Sequence, residues 1–158
     1  MSLYKSTVRF ALAAVATMAL IGSAAAADQV PLRGSLEGAT HITVFPHFVT
    51  EASGTSSQLG QFDLSMPHVV DPVTRIAVGT FTLVAANGDT IVGTMTGLAE
   101  FTETPDVLFI VEIATITGGT GRFADATGEF TIERLYNRVL GDTAGSFEGT
   151  VSSPGSGD

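Results

Sequence analysis

The feature that most limits what this chain can fold into is a two-residue alternation that runs almost without interruption from Asp28 onward. Thr, Val, Ile and Phe alternate with small or polar residues, and glycine and proline break the pattern at short intervals. No window of a dozen residues keeps apolar side chains at helical spacing. The pattern predicts eight short strands over residues 31–45, 47–54, 58–67, 74–85, 90–102, 107–117, 128–138 and 143–152, joined mostly by tight turns. Such a count and spacing points to an all-β fold, an antiparallel up-and-down β-barrel or a sandwich. Of the two, a closed barrel leaves no exposed strand edge.

Parity then sorts inside from outside, because successive side chains of a strand point to opposite faces. Leu32, Gly34, Leu36, Gly38 and Ile42 point inward against Arg33, Ser35, Glu37, His41 and Thr43. Phe62, Leu64 and Met66 do the same against Gln61, Asp63 and Ser65, and so do Gly145, Phe147, Gly149 and Val151 against Ser146, Glu148 and Thr150. Ile91, Gly93 and Met95 share a face opposite Val92, Thr94 and Thr96, and Phe81 opposes Thr80 and Thr82. A three-residue loop, Ala86-Asn87-Gly88 with Gly88 in the left-handed region, keeps the threonine faces together where a two-residue turn would mix them. Glycines alternating with large apolar residues suit the taper of a narrow barrel, and inner glycines also leave room for a ligand.

The stretch Ile113–Phe130 carries four glycines, Gly118, Gly119, Gly121 and Gly128, around Arg122-Phe123. Strand-TGGTG looks like a phosphate-binding turn, but that turn must open a helix of several turns and lead to another parallel strand. Gly128 stops any helix within two turns, a strand follows at once, and no βαβ unit fits before Asp158. The stretch is therefore a barrel corner in which glycines admit close backbone approach and Phe123 turns inward as a plug.

Ahead of the alternating region, Lys5 and Arg9 precede an apolar run, Phe10–Ile21, then small residues in which Ala25 and Ala27 fit a cleavage pattern. This predicts a secretory signal peptide over 1–27 cleaved after Ala27, a β-barrel domain over 28–152, a disordered tail over 153–158, and a secreted or periplasmic product. The apolar run is too short to span a bilayer comfortably, so no membrane insertion is expected after cleavage. Beyond Ala27 five arginines face sixteen acids, a balance of −11, with no lysine. That disfavours nucleic acid as a partner. With no cysteine there is neither disulfide nor thiolate chemistry.

Two strands place polar groups where the interior should be. If Thr115 and Thr117 face out, Leu108, Ile110, Glu112, Ala114 and Ile116 face in; Phe130, Ile132, Arg134 and Tyr136 share the inner face of the next strand. Phe109, Val111 and Ile113 are as apolar as the other face, and inverting that strand would move Glu112 to the surface. Arg75 has inward parity near a strand end. An unpaired buried carboxylate costs several kcal/mol, so Glu112 either finds Arg134 or holds a raised pKa. Glu112, Arg134 and Tyr136, with Arg75, Phe81 and Met95 as further lumen candidates, could hold an apolar ligand carrying one polar group, with Glu112 as a candidate acid/base. They equally make a structural ion pair whose hydrogen bonds Tyr136 completes. His41 falls on the wet face, and His47 and His68, beside Pro46 and Pro67, read as solvated or capping residues; no metal-ligand spacing and no cofactor motif is present.

The segment ATITGGTGRFADATGEFTIER followed by GSFEGTV resembles the bacterial secreted relatives of the allene oxide cyclase barrel, a calycin-like group related to dirigent proteins. Gly119, Gly121, Phe123 and Gly128 match that group's G-x-G-x-F-x(4)-G corner, and the resemblance covers roughly residues 30–152. It implies an eight-stranded antiparallel barrel whose lumen holds an apolar molecule, and it carries no active-site residue over to a numbered position here. Three functions follow as expectations: a barrel binding a small hydrophobic molecule in its lumen, a cyclase or isomerase using Glu112, or a filled structural barrel without a ligand.

Overall fold

The computed structural model describes residues 27–152 and 154. The expected leader, except Ala27, and the expected tail, except Pro154, lie outside the described residues. Eight antiparallel strands follow one another: β1 (Gln29–Val44), β2 (His47–Ser56), β3 (Gly60–Val70), β4 (Ile76–Ala85), β5 (Thr90–Phe101), β6 (Val107–Gly119), β7 (Gly128–Asn137) and β8 (Asp142–Ser152). Each pairs with the next, and β8 pairs back to β1, so the sheet is a closed barrel and not a sandwich. The strands agree with the alternation to within a few residues at their ends. The largest difference is in β3, which runs through Pro67 to Val70. There the ladder to β4 lapses between Ser65↔Thr82 and His68↔Gly79 without a change of register, because proline has no N–H to donate.

Following paired residues once around, Ile42 leads to Phe48, His68, Gly79, Met95, Ala114, Phe130, Gly149 and back to β1 at Leu32, a stagger of ten residues. That stagger over eight strands tilts them about 40° from the axis and gives a bore that side chains can fill. The β4–β5 hairpin has the expected three-residue loop. Val84 pairs with Thr90 and Thr80 with Thr94, Gly88 has φ of +90°, and its N–H donates to the Ala85 carbonyl.

The corner behaves as expected too. Gly121–Phe123 is a single 3₁₀ turn, after which β7 begins, and the Phe123 side chain is 1% exposed beneath the barrel. Asp89 ties the turn to the neighbouring hairpin, accepting from the Asn87 amide and from the Arg122 backbone and side chain. These donors, Asn87 foremost, hold its carboxyl below the usual range.

The two ends of the barrel differ. At the end carrying Phe123, called here the closed end, Phe62, Phe81, Phe130 and Phe147 interlock, with ring centroids 5.2 to 5.6 Å apart. Leu32, Leu83, Ile91, Ile116 and Val151 pack around them, all nearly inaccessible. Phe81 and Met95, taken above as lumen candidates, belong to this packed core, at 2% and 3% exposed. The inner glycines hold no empty space: a Cβ at Gly34 or Gly93 would collide with the Phe147 or Phe81 ring, and one at Gly149 would lie 2.6 Å from the Phe130 Cβ.

Gly118 and Gly119 offer a paired test of the corner. A Cβ at Gly119 would collide with the Thr90 carbonyl oxygen and lie 2.6 Å from the Phe123 carbonyl oxygen, whereas at Gly118 nothing lies nearer than 4.0 Å. Gly119→Ala is expected to cost about 2 kcal/mol or more in urea unfolding and Gly118→Ala less than about 0.5 kcal/mol.

Candidate functional site

Halfway up the bore the apolar filling gives way to a polar layer. Glu112 on β6 and Arg134 on β7 face inward as the parity predicted, and both side chains are 1% exposed. The pair is bidentate: Arg134 Nε donates to Glu112 Oε2 at 2.9 Å and Nη2 to Oε1 at 2.7 Å. Nη1 reaches the Thr143 hydroxyl at 3.1 Å and the Thr40 hydroxyl at 3.3 Å. Thr40 in turn lies 2.8 Å from the Thr50 hydroxyl, and Thr143 donates to the Leu135 carbonyl at 2.7 Å. This planar fork-to-fork geometry, with Nη1 satisfied by two hydroxyls, is what makes a buried ion pair tolerable.

The threonines, not Tyr136, complete the network. Tyr136 is half-buried above it and takes no part in these bonds. Nothing but parity marks Thr40 and Thr143 in the sequence. Parity with Leu36 and Gly38, or with Gly145 and Phe147, puts them inside.

His68 also belongs to this layer, against the expectation of a solvated residue at a strand end. Because β3 continues past Pro67, His68 keeps the inward parity of Phe62, Leu64 and Met66, and it is 7% exposed. Its Nδ1 lies 2.9 Å from the Met66 carbonyl, and its ring stacks on Phe48 at 5.7 Å with an 11° interplanar angle. Burial pushes its pKa below the ordinary 6.5, and the Arg134 charge acts in the same direction, against the Met66 hydrogen bond and the Glu112 charge.

Glycines make room for this layer. Gly97 pairs with Glu112, Gly145 with Arg134, Gly79 with His68 and Gly38 with Thr143. A Cβ at Gly97, Gly145 or Gly79 would stand 2.6 to 2.7 Å from its partner's side chain. The inner glycines thus accommodate long polar neighbours at mid-barrel and phenyl rings toward the closed end.

Above the layer lies the open end of the bore, its mouth. Phe48, Val70, Ala99, Leu108 and Tyr136 have inward parity there and are only half-buried. Ile42, also of inward parity, is 57% exposed because β1 overshoots the barrel at this end. Arg75 does not enter the lumen. The Asp71 carboxylate accepts N–H bonds from Val73 and Thr74, the turn closes through Arg75 N–H to the Asp71 carbonyl, and Arg75 ends it at φ +62°. Its guanidinium lies 4.9 Å from the Phe101 ring centroid, on the rim.

The rim is apolar. Ile42, Val44 and Phe45 of the β1–β2 corner, Val73 and Ile76 around the β3–β4 loop, Phe101 at the end of β5, and Val139 and Leu140 between β7 and β8 are all exposed, by 43 to 88%. Two open concavities of about 730 and 650 Å³ lie on the outer wall, lined largely by outward residues such as Glu37, Ser53, Asp63 and Asp142. The second also reaches Thr143 of the polar layer, from the outer side of β8. No protein-family model, curated protein or solved structure matches the chain.

Two outcomes test the floor. Glu112→Leu or Arg134→Met alone leaves an uncompensated buried charge and is expected to cost about 3–5 kcal/mol in urea unfolding, while the double replacement recovers most of that loss. For His68, the unfolded chain binds a proton near pH 6.5 that the folded chain resists. Stability is therefore full above that pH and declines as pH falls below it. His68→Phe is expected to flatten this decline between about pH 6.5 and 5, by at most one proton's worth, about 1.4 kcal/mol per pH unit.

Proposed function

We propose that the barrel binds a small, mainly apolar molecule through its open end. The apolar body rests against Phe48, Leu108 and Tyr136, and its polar group is turned toward the floor of Arg134, Thr40 and His68. The observation that carries this is the gathering of exposed large apolar side chains from all four loop regions of one end around half-buried inner walls. Exposed apolar surface of this kind marks a binding site more often than a free surface. The filled closed end restricts the ligand to the upper half of the bore.

The cyclase or isomerase alternative is less well supported, because both oxygens of Glu112 accept from Arg134. A carboxylate so engaged would have to break that pair before exchanging a proton. A filled barrel without a ligand explains the closed end but gives no role to the apolar rim. Kinship with the allene oxide cyclase barrel group, on the strength of the Gly119–Gly128 corner, and export from the cytoplasm, on the strength of Lys5, Arg9 and the run Phe10–Ile21, complete the proposal.

The neutral fluorophore N-phenyl-1-naphthylamine tests the site. It is expected to bind saturably at one equivalent per barrel. Ala99→Trp, which fills the mouth from a half-buried wall, abolishes the signal, and Thr94→Trp on the outer wall leaves it intact. Binding that survives Ala99→Trp places the ligand elsewhere.

A further inference from the structure

The floor of the mouth holds one acceptor that the protein itself does not use. Met66 offers His68 a carbonyl oxygen, which can only accept, so Nδ1 carries the ring proton and Nε2 carries a lone pair. Nδ1 is turned back along β3 toward Met66, on the closed-end side of His68. Nε2, at the opposite edge of the ring, is turned away from it. No buried side-chain nitrogen or oxygen among the described residues lacks a hydrogen-bond partner, yet Nε2 makes no hydrogen bond among them. Nε2 therefore keeps some accessible surface although its residue is 7% exposed, at the edge of the ring turned away from the closed end.

The other polar groups of the floor are engaged with one another. Glu112 faces Arg134 with both oxygens, Arg134 spends its third nitrogen on Thr40 and Thr143, and Thr143 donates to Leu135. Phe48 stacks on the imidazole and fixes its plane. Burial keeps the ring neutral near pH 7, so the lone pair is available there.

We infer that His68 is the acceptor that selects the ligand: its Nε2 takes the O–H or N–H of an otherwise apolar molecule bearing one neutral donor, such as an alcohol or a phenol. The inference rests on binding in the mouth. It adds the chemistry by which a ligand is distinguished from a hydrocarbon or an ether of the same shape. A site that offers a buried acceptor penalises a ligand unable to satisfy it.

The test is displacement of N-phenyl-1-naphthylamine by 1-naphthol and by 1-methoxynaphthalene, which differ in the donor, from the wild-type protein and from His68→Phe. The naphthol-to-ether affinity ratio is expected to fall roughly three- to tenfold in His68→Phe, with the ether's own affinity little changed. Should that variant fail to fold, the imidazole ¹⁵N spectrum of the wild-type protein serves instead, with the His68 Nε2 resonance moving on addition of naphthol and not of the ether. An unchanged ratio, or an Nε2 resonance indifferent to naphthol, overturns the assignment of His68 while leaving binding in the mouth intact. If the fluorophore does not bind at all, mouth binding fails and this inference fails with it.

Discussion

Closure with a stagger of ten residues is the constraint on which the rest of the structure depends. In a closed sheet every strand has one face toward a shared bore. A slip of one residue in any strand would expel its whole inner set, so that Leu32 and Leu36 would trade places with Arg33 and Glu37. Register is therefore fixed by the apolar pattern of all eight strands together. The closed-end corner reinforces it: Phe123 fills the bore from below, and Asp89 clamps Arg122 across to the neighbouring hairpin.

This explains why so much of the fold was legible in the sequence. Period-two alternation is a local signal, and in a barrel it maps onto burial without needing to know which strands are neighbours. The inward set of β1, β3, β5 and β8, the three-residue loop at Gly88 and the plug at Phe123 all follow from it. The failures have equally physical causes. Pro67 reads as a strand end, yet a missing N–H costs the ladder only one partner, so β3 carried His68 into the bore. Thr40 and Thr143 have polar side chains whose burial becomes reasonable only once Arg134 is known to need acceptors. Arg75 and Ile42 have inward parity but lie where the barrel has ended, and the tilt that sets that boundary is a property of all eight strands together.

The buried ion pair divides the bore. Burying Glu112 and Arg134 would cost several kcal/mol per charge if either were alone, and even well paired they contribute little net stability compared with packed apolar side chains. What they impose is a level in the barrel that phenyl rings cannot occupy, with Gly97, Gly145, Gly79 and Gly38 set opposite Glu112, Arg134, His68 and Thr143. The glycine pattern that looked in the sequence like vacant ligand space is thus matched residue for residue to its neighbours.

The two ends of the barrel also meet water differently. The closed end is finished by Ser57 and Gln58, which donate to the Pro31 carbonyl of β1, by Arg122, which donates to the Gln58 carbonyl, and by Asn87, which donates to Asp89. The open end shows Phe45, Val73, Val139 and Leu140 to water, each more than 60% exposed. Exposed apolar side chains also occur on the outer wall, at Val78, Leu98, Ile113 and Leu135, but the most exposed ones gather at this end. Phe101 is the partial exception, covered by Arg75 and Arg138, whose guanidinium carbons lie 4.9 and 5.5 Å from its ring centroid, while Arg138 is held by Asp106. Arg75 and Asp106 both adopt positive φ to stand there, a conformation that costs non-glycine residues on the order of 1 kcal/mol or more. The closed-end corner has one such position, Asp125 at φ +58°, so it is the exposed apolar side chains, more than the backbone, that set the open end apart and that the proposed ligand would cover.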